Sequence, residues 1–273
     1  MPRHHAGAAP LTLEAMSDAA AQALQQELRQ LDPGLRVDWV ANTGSTNADL
    51  LQWARSAADG LGPRLLLADQ QSAGRGRQGR SWQAEPGASL LLSLAWPLPP
   101  RCAVLGLSLA VGVWLAESLH TLGAAAVGLK WPNDLLLGAD KLGGVLIELA
   151  DTPAARWAVI GIGINLQPPN GVECASGLDS CLPGCTRAAL LRALAPALLD
   201  GLRRWPQDGF AACVQRWNAL HAWQGQSVRL LDGGVEQAQG IARGVDCDGC
   251  LLLDCASGLR RIASGDLSLR RDA

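Results

Sequence analysis

The stretch Leu65-Leu66-Leu67-Ala68-Asp69-Gln70-Gln71-Ser72-Ala73-Gly74-Arg75-Gly76-Arg77-Gln78-Gly79-Arg80 joins an apolar run, typical of a buried strand, to a glycine- and arginine-rich loop. Gly74-Arg75-Gly76-Arg77-Gln78-Gly79 matches the G-x-G-x-x-G pattern of dinucleotide-binding folds, which need a helix directly after it and an acidic residue about 20 positions later. Instead Ser81-Trp82-Gln83-Ala84-Glu85-Pro86-Gly87 follows, which does not open a helix, and the nearest acids are Glu85 and Glu117. The sequence therefore argues against a Rossmann fold.

The same loop has the composition of an anion-binding loop. It sets three arginines, Arg75, Arg77 and Arg80, among three glycines. Glycines let backbone amides approach an anion closely, and arginine forks bind phosphate through two hydrogen bonds. A loop that closes over a charged, reactive species needs this composition. The alternative is a solvated surface loop.

The segments on either side of this loop predict an α+β fold with a mixed, largely antiparallel sheet and packed helices. Helices are predicted over 12–31, 47–58, 103–122, 186–204 and 208–220. Strands are predicted over 36–40, 65–69, 89–95, 126–130, 134–138, 143–150 and 157–166. From residue 223 onward, short strands separated by Gly, Asp and Ser indicate a small all-β barrel. These C-terminal strands are predicted over 228–231, 236–245, 251–254, 259–262 and 267–270.

Composition excludes several classes of protein. The chain has 273 residues, of which 48% are apolar and 18% charged, so it is long and apolar enough to form a packed core. A net charge of −2 argues against a polybasic protein that binds nucleic acid or membrane surfaces. Because there is no apolar run of 18 residues and no secretory leader, we expect a cytoplasmic protein without a membrane span.

The eight cysteines are expected to be reduced thiols, as is usual in the cytosol. Cys247-Asp248-Gly249-Cys250 and Cys181-Leu182-Pro183-Gly184-Cys185 could together bind zinc, which is the alternative interpretation. Asp248-Gly249, however, is typical of a two-residue hairpin turn. We therefore predict no protein-bound metal.

The only two lysines, Lys130 and Lys141, fall in one apolar region, although the chain has 23 basic residues. Lys130-Trp131-Pro132-Asn133-Asp134 predicts a turn between strands. Lys141-Leu142-Gly143-Gly144 predicts a lysine at the start of a strand whose glycines let a ligand lie against the backbone. Such a lysine can neutralise a carboxylate or phosphate in an apolar pocket. The alternative is a hairpin with a surface lysine.

Two polar groups complete the candidate site. Ser45-Thr46-Asn47 can bind a urea or amide headgroup, or can cap the following helix. Asn165 ends the apolar run Ile160-Gly161-Ile162-Gly163-Ile164, where it can bond the edge of an aromatic base or cap the turn before Pro168.

Taken in order, these motifs resemble the biotin protein ligases over roughly residues 37–273. The resemblance implies a class II synthetase-like catalytic domain over 37–222 and an SH3-like barrel over 223–273, preceded by an N-terminal extension with one helix over 1–36. It implies a ligase that converts biotin and ATP, with Mg²⁺ on the nucleotide, into biotinyl-5′-adenylate. The biotinyl group is then transferred to a lysine of a biotin carboxyl carrier protein.

The resemblance also assigns roles to single residues. Lys141, Arg75 and Arg77 are expected to be catalytic, and Trp82 to pack the closed loop. The residues expected to bind biotin are Ser45, Thr46, Asn47, Gln71, Arg75, Gly76, Arg77, Lys141, Gly143 and Gly144. Those expected to bind the nucleotide are Arg75, Arg77, Lys130, Trp131, Asn133, Asp134, Lys141 and Asn165.

Some alternatives stay open at the level of sequence. A lipoate–protein ligase shares the fold and the adenylate chemistry, and a non-catalytic biotin-binding regulator is a second alternative. Bifunctional members carry an N-terminal winged helix, but only about 36 residues precede the first predicted strand here and they show no helix-turn-helix pattern. We therefore expect a monofunctional ligase that does not bind DNA. The sequence leaves a homodimer open.

Overall fold

The computed structural model describes residues 18–56, 61–263 and 267–271. The helices in this part of the chain are α1 (Asp18–Leu31), α2 (Thr46–Arg55), α3 (Leu107–Thr121), α4 (Arg187–Asp208) and α5 (Val214–Leu220). All correspond to predicted helices, although the predicted start of the first, 12–17, lies outside the described residues. Three helix boundaries were wrong, because α3 begins at Leu107 and not at 103, α4 continues through Pro206 to Asp208, and α5 begins only at Val214.

The larger sheet has seven strands. They are β1 (Arg36–Thr43), β2 (Arg64–Gln71), β3 (Ser89–Leu98), β4 (Val127–Lys130), β5 (Asp134–Leu137), β6 (Asp140–Asp151) and β7 (Arg156–Asn165). Their order is β1-β2-β3-β7-β6-β5-β4, and only β1 and β2 run parallel. The predicted α+β class with a mixed, largely antiparallel sheet is confirmed.

Strand β6 begins three residues earlier than predicted, so Lys141 lies within the strand and not in front of it. One reason is the β5–β6 pairing, in which Leu136 lies opposite Lys141 and Leu137 opposite Asp140. Residues 174–176 add a second partner that the local sequence does not reveal. The Lys141 amide donates to the Cys174 carbonyl at 2.8 Å, and the Ser176 amide donates to the Lys141 carbonyl at 2.9 Å. These bonds pair the backbone of Lys141 on its other side, next to the register shift in the β5–β6 pairing between Lys141 and Gly143.

The core lies between the sheet and helices α3 and α4. Strand β3 is buried at nine of its ten positions, which explains its nearly unbroken apolar sequence. Helix α3 is apolar all round and buried along most of its length, as expected for a helix enclosed by other elements. Gly201 on α4 allows the close contact between these helices, because a Cβ there would lie 2.4 Å from the Trp114 ring.

A second, five-stranded sheet follows. Its strands are β8 (Ser227–Asp232), β9 (Val235–Val245), β10 (Leu251–Cys255), β11 (Gly258–Ile262) and β12 (Leu267–Arg271). They are antiparallel in the order β11-β10-β9-β8-β12, which confirms the small all-β module. Since β11 and β12 are the edges, the barrel is not closed by hydrogen bonds among the described residues. The β9–β10 connection is not the predicted two-residue turn but spans 246–250, where the Asp246 carboxylate accepts from the amides of Asp248 and Cys250.

The two sheets meet beside β4. Trp131 is fully buried, and its indole N–H donates to the Gly249 carbonyl in the β9–β10 connection at 3.1 Å. The Lys130 ammonium lies 5.1 Å from the centre of the Trp223 ring. The C-terminal module therefore supports the segment that carries Lys130 and Asp134. In the described part of the chain, no helix is both long and apolar enough to cross a membrane.

Candidate active site

One cavity gathers most of the residues that the sequence selects. It lies over the middle strands of the larger sheet, under the loop between β2 and β3, and β12 of the C-terminal module lines one side. The predicted residues that line it are Ser45, Thr46, Asn47, Gln71, Arg75, Gly76, Arg77, Lys130, Trp131, Asn133, Asp134, Lys141 and Gly144. Residues up to a hundred positions apart in sequence thus share one site.

A carboxylate shared by two ammonium groups lies at one end of the cavity. Lys141 Nζ is 2.6 Å from Asp134 Oδ1, and Lys130 Nζ is 3.0 Å from Asp134 Oδ2. Strand pairing brings the two lysines and Asp134 together. Lys130 lies opposite Asp134 in the β4–β5 pair, and Asp134 lies opposite Gly144, three residues after Lys141, in the β5–β6 pair. Two positive charges against one negative charge leave this end of the cavity with a net positive charge.

Burial determines how these groups titrate. Desolvation raises the pKa of the Asp134 carboxyl, but the charges of Lys141 and Lys130 and their hydrogen bonds outweigh it, so the pKa lies below its usual range. Desolvation lowers the pKa of the Lys130 ammonium, and Asp134 opposes that effect. Lys141 is the accessible member, because 40% of its side chain is exposed against 11% for Lys130. Lys141 is therefore the ammonium that a ligand can reach.

Buried hydroxyl and amide groups lie at the start of α2. Ser45 caps the helix by accepting from the Ala48 amide at 3.4 Å. Gln71 at the end of β2 accepts through Oε1 from the Thr46 amide at 2.8 Å, and the hydroxyls of Thr46 and Ser93 lie 2.8 Å apart. The predicted capping role of this turn is confirmed, and the same residues present a polar lining to the cavity.

Asn47 and Arg75 meet at a residue that the sequence analysis missed, Glu148 on β6. Glu148 Oε2 accepts from Asn47 Nδ2 at 2.6 Å and from Arg75 Nη2 at 2.7 Å. The Asn47 Oδ1 atom is buried and has no hydrogen-bond partner. It lies above Gly161, where a Cβ would approach it to 2.8 Å. One available signal was that Glu148 interrupts the apolar run of a strand in the middle of a sheet.

The arginine loop is folded back on itself. The Gly76 amide donates to the Arg80 carbonyl at 2.7 Å, and the Trp82 amide donates to the Gly74 carbonyl at 2.9 Å. Gln78 has a positive φ of 59° at the tip. These bonds direct Arg75 and Arg77 towards the cavity that they line.

Trp82 closes one wall of the site, as expected for a residue that packs the loop. Its ring lies against Gly163, where a Cβ would come within 2.8 Å of ring atoms, so only glycine permits this contact. The Lys141 ammonium lies 5.7 Å from the centre of the same ring. The indole Nε1 is buried without a hydrogen-bond partner.

Two predicted residues do not line this cavity. Gly143 faces β7, because a Cβ there would lie 2.6 Å from the Gly163 carbonyl oxygen. Asn165 lines an adjoining depression that shares Trp82 and Lys141. Its amide accepts from the Ser89 hydroxyl at 3.2 Å and donates to the Ser176 carbonyl at 3.1 Å. These bonds support a structural role for Asn165, and its contact with adenine stays a prediction.

The site also contains residues that sequence reasoning did not select. Besides Glu148, they include Ser93 on β3, Gly161 on β7, and Ser268 and Arg270 on β12. The contribution of β12 depends on how the two sheets meet, which no local pattern encodes. Chemically, the cavity offers cations for a carboxylate and a phosphate at one end and a polar lining at the other, which suits an anhydride between a carboxylic acid and a nucleotide phosphate.

Comparisons with known proteins agree with this geometry. A model of the "Biotin/lipoate A/B protein ligase family" matches residues 42–165, and one of the "Biotin protein ligase C terminal domain" matches residues 225–270. Among curated relatives, the bifunctional ligase/repressor BirA of Escherichia coli K12 is 37% identical over 90% of this chain and 77% of its own length. A biotin–[acetyl-CoA-carboxylase] ligase of Mycobacterium tuberculosis is 37% identical over 90% of this chain and 94% of its own length.

A solved structure supports the same relationship. The biotin protein ligase from Aquifex aeolicus, in complex with biotin and ATP, matches with a TM-score of 0.74 and 28% identity. The match covers 87% of this chain and 99% of that protein. Most of this chain therefore shares the fold of one known enzyme.

Proposed function

Because this chain belongs to the biotin protein ligase family, we propose that its cavity joins biotin to ATP and then passes the biotinyl group to a protein lysine. The enzyme is an ATP-dependent biotin ligase whose substrates are biotin and ATP, with Mg²⁺ arriving on the nucleotide. Its protein substrate is a biotin carboxyl carrier domain, such as that of acetyl-CoA carboxylase. The observation that carries the proposal is the placement of Lys141, Arg75 and Arg77 in one cavity with the polar lining around Thr46.

In the first step, a biotin carboxylate oxygen attacks the α-phosphorus of ATP. The bond from that phosphorus to the bridging oxygen breaks, and pyrophosphate leaves with the electron pair. Negative charge accumulates on the phosphoryl oxygens, where Lys141 and the loop arginines oppose it with fixed positive charges. We assign Lys141 to bridge the carboxylate and the α-phosphate, and the exposure of its ammonium, compared with that of Lys130, supports the assignment.

The biotin ring is assigned to the other end of the cavity. The ureido group offers two N–H donors and one carbonyl acceptor. Asn47 Oδ1 is a buried acceptor without a partner, and the hydroxyl and amide groups of Ser45, Thr46 and Gln71 lie beside it. A polar headgroup satisfies these groups better than an apolar ring would. A Cβ added at Gly144 would lie 3.6 Å from Lys141 Nζ, so a glycine at this position leaves room for the valeryl tail of biotin.

In the second step, the neutral amine of the acceptor lysine attacks the acyl carbon of biotinyl-5′-adenylate. The acyl–oxygen bond breaks, AMP leaves, and an amide forms as the amine loses its proton. The nucleotide end of the cavity is assigned to four residues that hold the nucleotide in place: Lys130, Trp131, Asn133 and Asp134. Trp82 is assigned to exclude water from the anhydride.

The test is a pair of assays on the purified chain. Biotin-dependent exchange of labelled pyrophosphate into ATP reports the first step. Mass spectrometry of a biotin carboxyl carrier domain, with an increment of one biotin on its acceptor lysine, reports the second. Absence of exchange with biotin and MgATP would refute the assignment.

A lipoate–protein ligase is the second candidate, because the family model over 42–165 covers both biotin and lipoate enzymes. The match of residues 225–270 to a biotin-specific C-terminal module favours biotin. So does Asn47 Oδ1, an acceptor for which the dithiolane ring of lipoate has no donor. Exchange assays with each acid in turn separate the two.

We also propose the division into an extension over 1–36, a catalytic domain over 37–222 and an SH3-like barrel over 223–273. The described residues before β1 form α1, whose Leu24 and Leu28 are buried against the core. We propose a ligase that does not bind operator DNA, which a mobility shift on a biotin-operon promoter tests. A cytoplasmic location is supported by eight unpaired cysteines.

A homodimer is a further proposal, which sedimentation at several protein concentrations tests.

A further inference from the structure

We propose that Glu148 is a positioning residue that aligns the two ends of the substrate site, by fixing the Asn47 amide and by anchoring the Arg75 guanidinium. The inference rests on the proposed function and adds to it a residue that contacts neither reacting atom. Glu148 lies on β6, and one of its oxygens, Oε2, accepts both hydrogen bonds, at 2.6 Å from Asn47 Nδ2 and at 2.7 Å from Arg75 Nη2.

The contact with Asn47 determines which atom of that side chain faces the cavity. An ionised carboxylate only accepts hydrogen bonds, so it must bind the NH₂ of the amide and not its oxygen. Oδ1 is thereby turned away from Glu148 and lies buried above Gly161 without a partner. Because the Asn47 side chain is only 4% exposed and its acceptor is unpaired, Oδ1 is suited to accept a hydrogen bond from an N–H group of a ligand. Without Glu148, the amide could rotate and present its NH₂ to the ureido N–H groups.

The contact with Arg75 holds the guanidinium in place before substrate binds. The Arg75 side chain is 41% exposed and lies on a loop, so it would otherwise sample many rotamers. Glu148 engages Nη2, and a guanidinium has five N–H donors, so donors remain for a carboxylate or phosphate. Since the same oxygen binds both side chains, Glu148 aligns the ureido end of the site with the arginine loop through one atom.

A purely structural role is the competing explanation. Glu148 is the acidic residue in the apolar part of a central strand, and its side chain is only 25% exposed. An ionised group in that position is unfavourable unless it is paired, so a hydrophobic residue would serve the sheet better. Both of its partners line the substrate cavity, which is the reason to assign it a role in substrate alignment.

The test uses Glu148→Ala and Glu148→Gln, with Glu27→Ala as the matched control. Glu27 also pairs with an arginine, Arg192, but on the surface between α1 and α4, so the control removes an equivalent charge and ion pair away from the cavity. Biotin-dependent pyrophosphate exchange gives KM for biotin and kcat, and thermal unfolding confirms that each variant is folded.

We expect Glu148→Ala to raise KM for biotin about tenfold or more and to lower kcat, because it removes charge-assisted hydrogen bonds to two substrate-binding residues. Glu148→Gln keeps an acceptor for Asn47 but loses the negative charge for Arg75. It should therefore bring KM for biotin back to within about threefold of the wild type while kcat stays about tenfold low. This division between KM and kcat is not expected from loss of stability alone.

The inference is overturned if folded Glu148→Gln has wild-type kcat, or if Glu148→Ala matches Glu27→Ala in both constants. It is also overturned if Glu148→Ala raises KM as much in an Asn47→Ala background as in the wild type, since the two residues would then not be coupled. If Glu148→Ala fails to fold, the near-isosteric Gln variant decides. Failure of the proposed function looks different, because wild-type enzyme would then show no biotin-dependent exchange at all.

Discussion

Lys141 Nζ lies 2.6 Å from Asp134 Oδ1, on a carboxylate whose other oxygen is bonded to Lys130 at 3.0 Å. These are the only two lysines of the chain, and they share one counter-ion. A compact ammonium can approach one carboxylate oxygen while leaving space for a neighbour, which a planar guanidinium cannot do as easily. The arrangement keeps one positive charge uncompensated at the place where the carboxylate and phosphate are proposed to meet.

Replacing Lys141 with alanine should slow adenylate formation severely and leave folding intact. The loss of one preorganised charge contact corresponds to about 10²–10³-fold in rate. Asp134 keeps its bond to the buried Lys130, so the remaining pair stays neutral and the melting temperature should change little. The measurement is biotin-dependent pyrophosphate exchange by purified, folded Lys141→Ala. Exchange at the wild-type rate would show that the catalytic ammonium had been assigned wrongly.

Replacing Asp134 with asparagine should instead destabilise the protein. It leaves the Lys130 ammonium, whose side chain is 11% exposed, without a charged partner. Breaking a buried ion pair from one side costs about 3–5 kcal/mol, or roughly 10 °C in melting temperature at this size.

The control for Asp134→Asn is the double variant with Lys130→Met, which removes the stranded charge and keeps an apolar side chain against Trp223. It should recover part of the lost melting temperature. A melting temperature of Asp134→Asn equal to that of the wild type would contradict the importance of the shared carboxylate.

Elements were predictable where local pattern determines them. The apolar run of β3, the capping turn at Ser45 and the short strands after residue 223 each follow from their own sequence, and each is found. The motifs also indicated which residues share a site, because Lys130-Trp131-Pro132-Asn133-Asp134 and the arginine loop are distinctive even when far apart in sequence.

What could not be predicted depends on pairing between distant segments. Lys141 lies inside β6 because it pairs with Leu136 of β5 and, on its other side, with residues 174–176. Gly143 faces β7 instead of the cavity because of its register with Ile164. Glu148 escaped notice because its importance comes from Asn47 and Arg75, 101 and 73 positions away. Arg270 reaches the cavity only through the docking of the C-terminal module.

Replacing Gly161 with alanine should weaken biotin binding. The new Cβ would lie 2.8 Å from Asn47 Oδ1 and 3.3 Å from the Leu146 carbonyl oxygen, so the Asn47 side chain must move. Loss of its hydrogen bond to the ligand should raise KM for biotin about tenfold. Gly44→Ala is the matched control, because a Cβ there meets no atom within 4 Å. An unchanged KM in Gly161→Ala would argue against the ureido group lying at Asn47.

His221 couples the stability of the protein to pH at the junction between α5 and the C-terminal module. It is 5% exposed, its ring lies 4.7 Å from that of Trp217, and its Nδ1 bonds the Gln224 side chain at 3.2 Å. Burial lowers its pKa from 6.5 to about 4, although the bond to Gln224 opposes the shift. The folded state therefore binds a proton less readily than the unfolded state.

The sign of the pH effect follows from that difference. Above pH 6.5 the imidazole is neutral in both states and its contribution to stability is fully present; as the pH falls towards 4, the unfolded state takes up the proton first and stability is lost. Between pH 7.5 and 5 the loss should be about 2 kcal/mol. Urea unfolding of the wild type and of His221→Gln at both pH values measures it, since other groups contribute equally to the two proteins. The pH dependence should be smaller in the variant by this amount, and an equal dependence in both proteins would show that His221 is not buried in its neutral form.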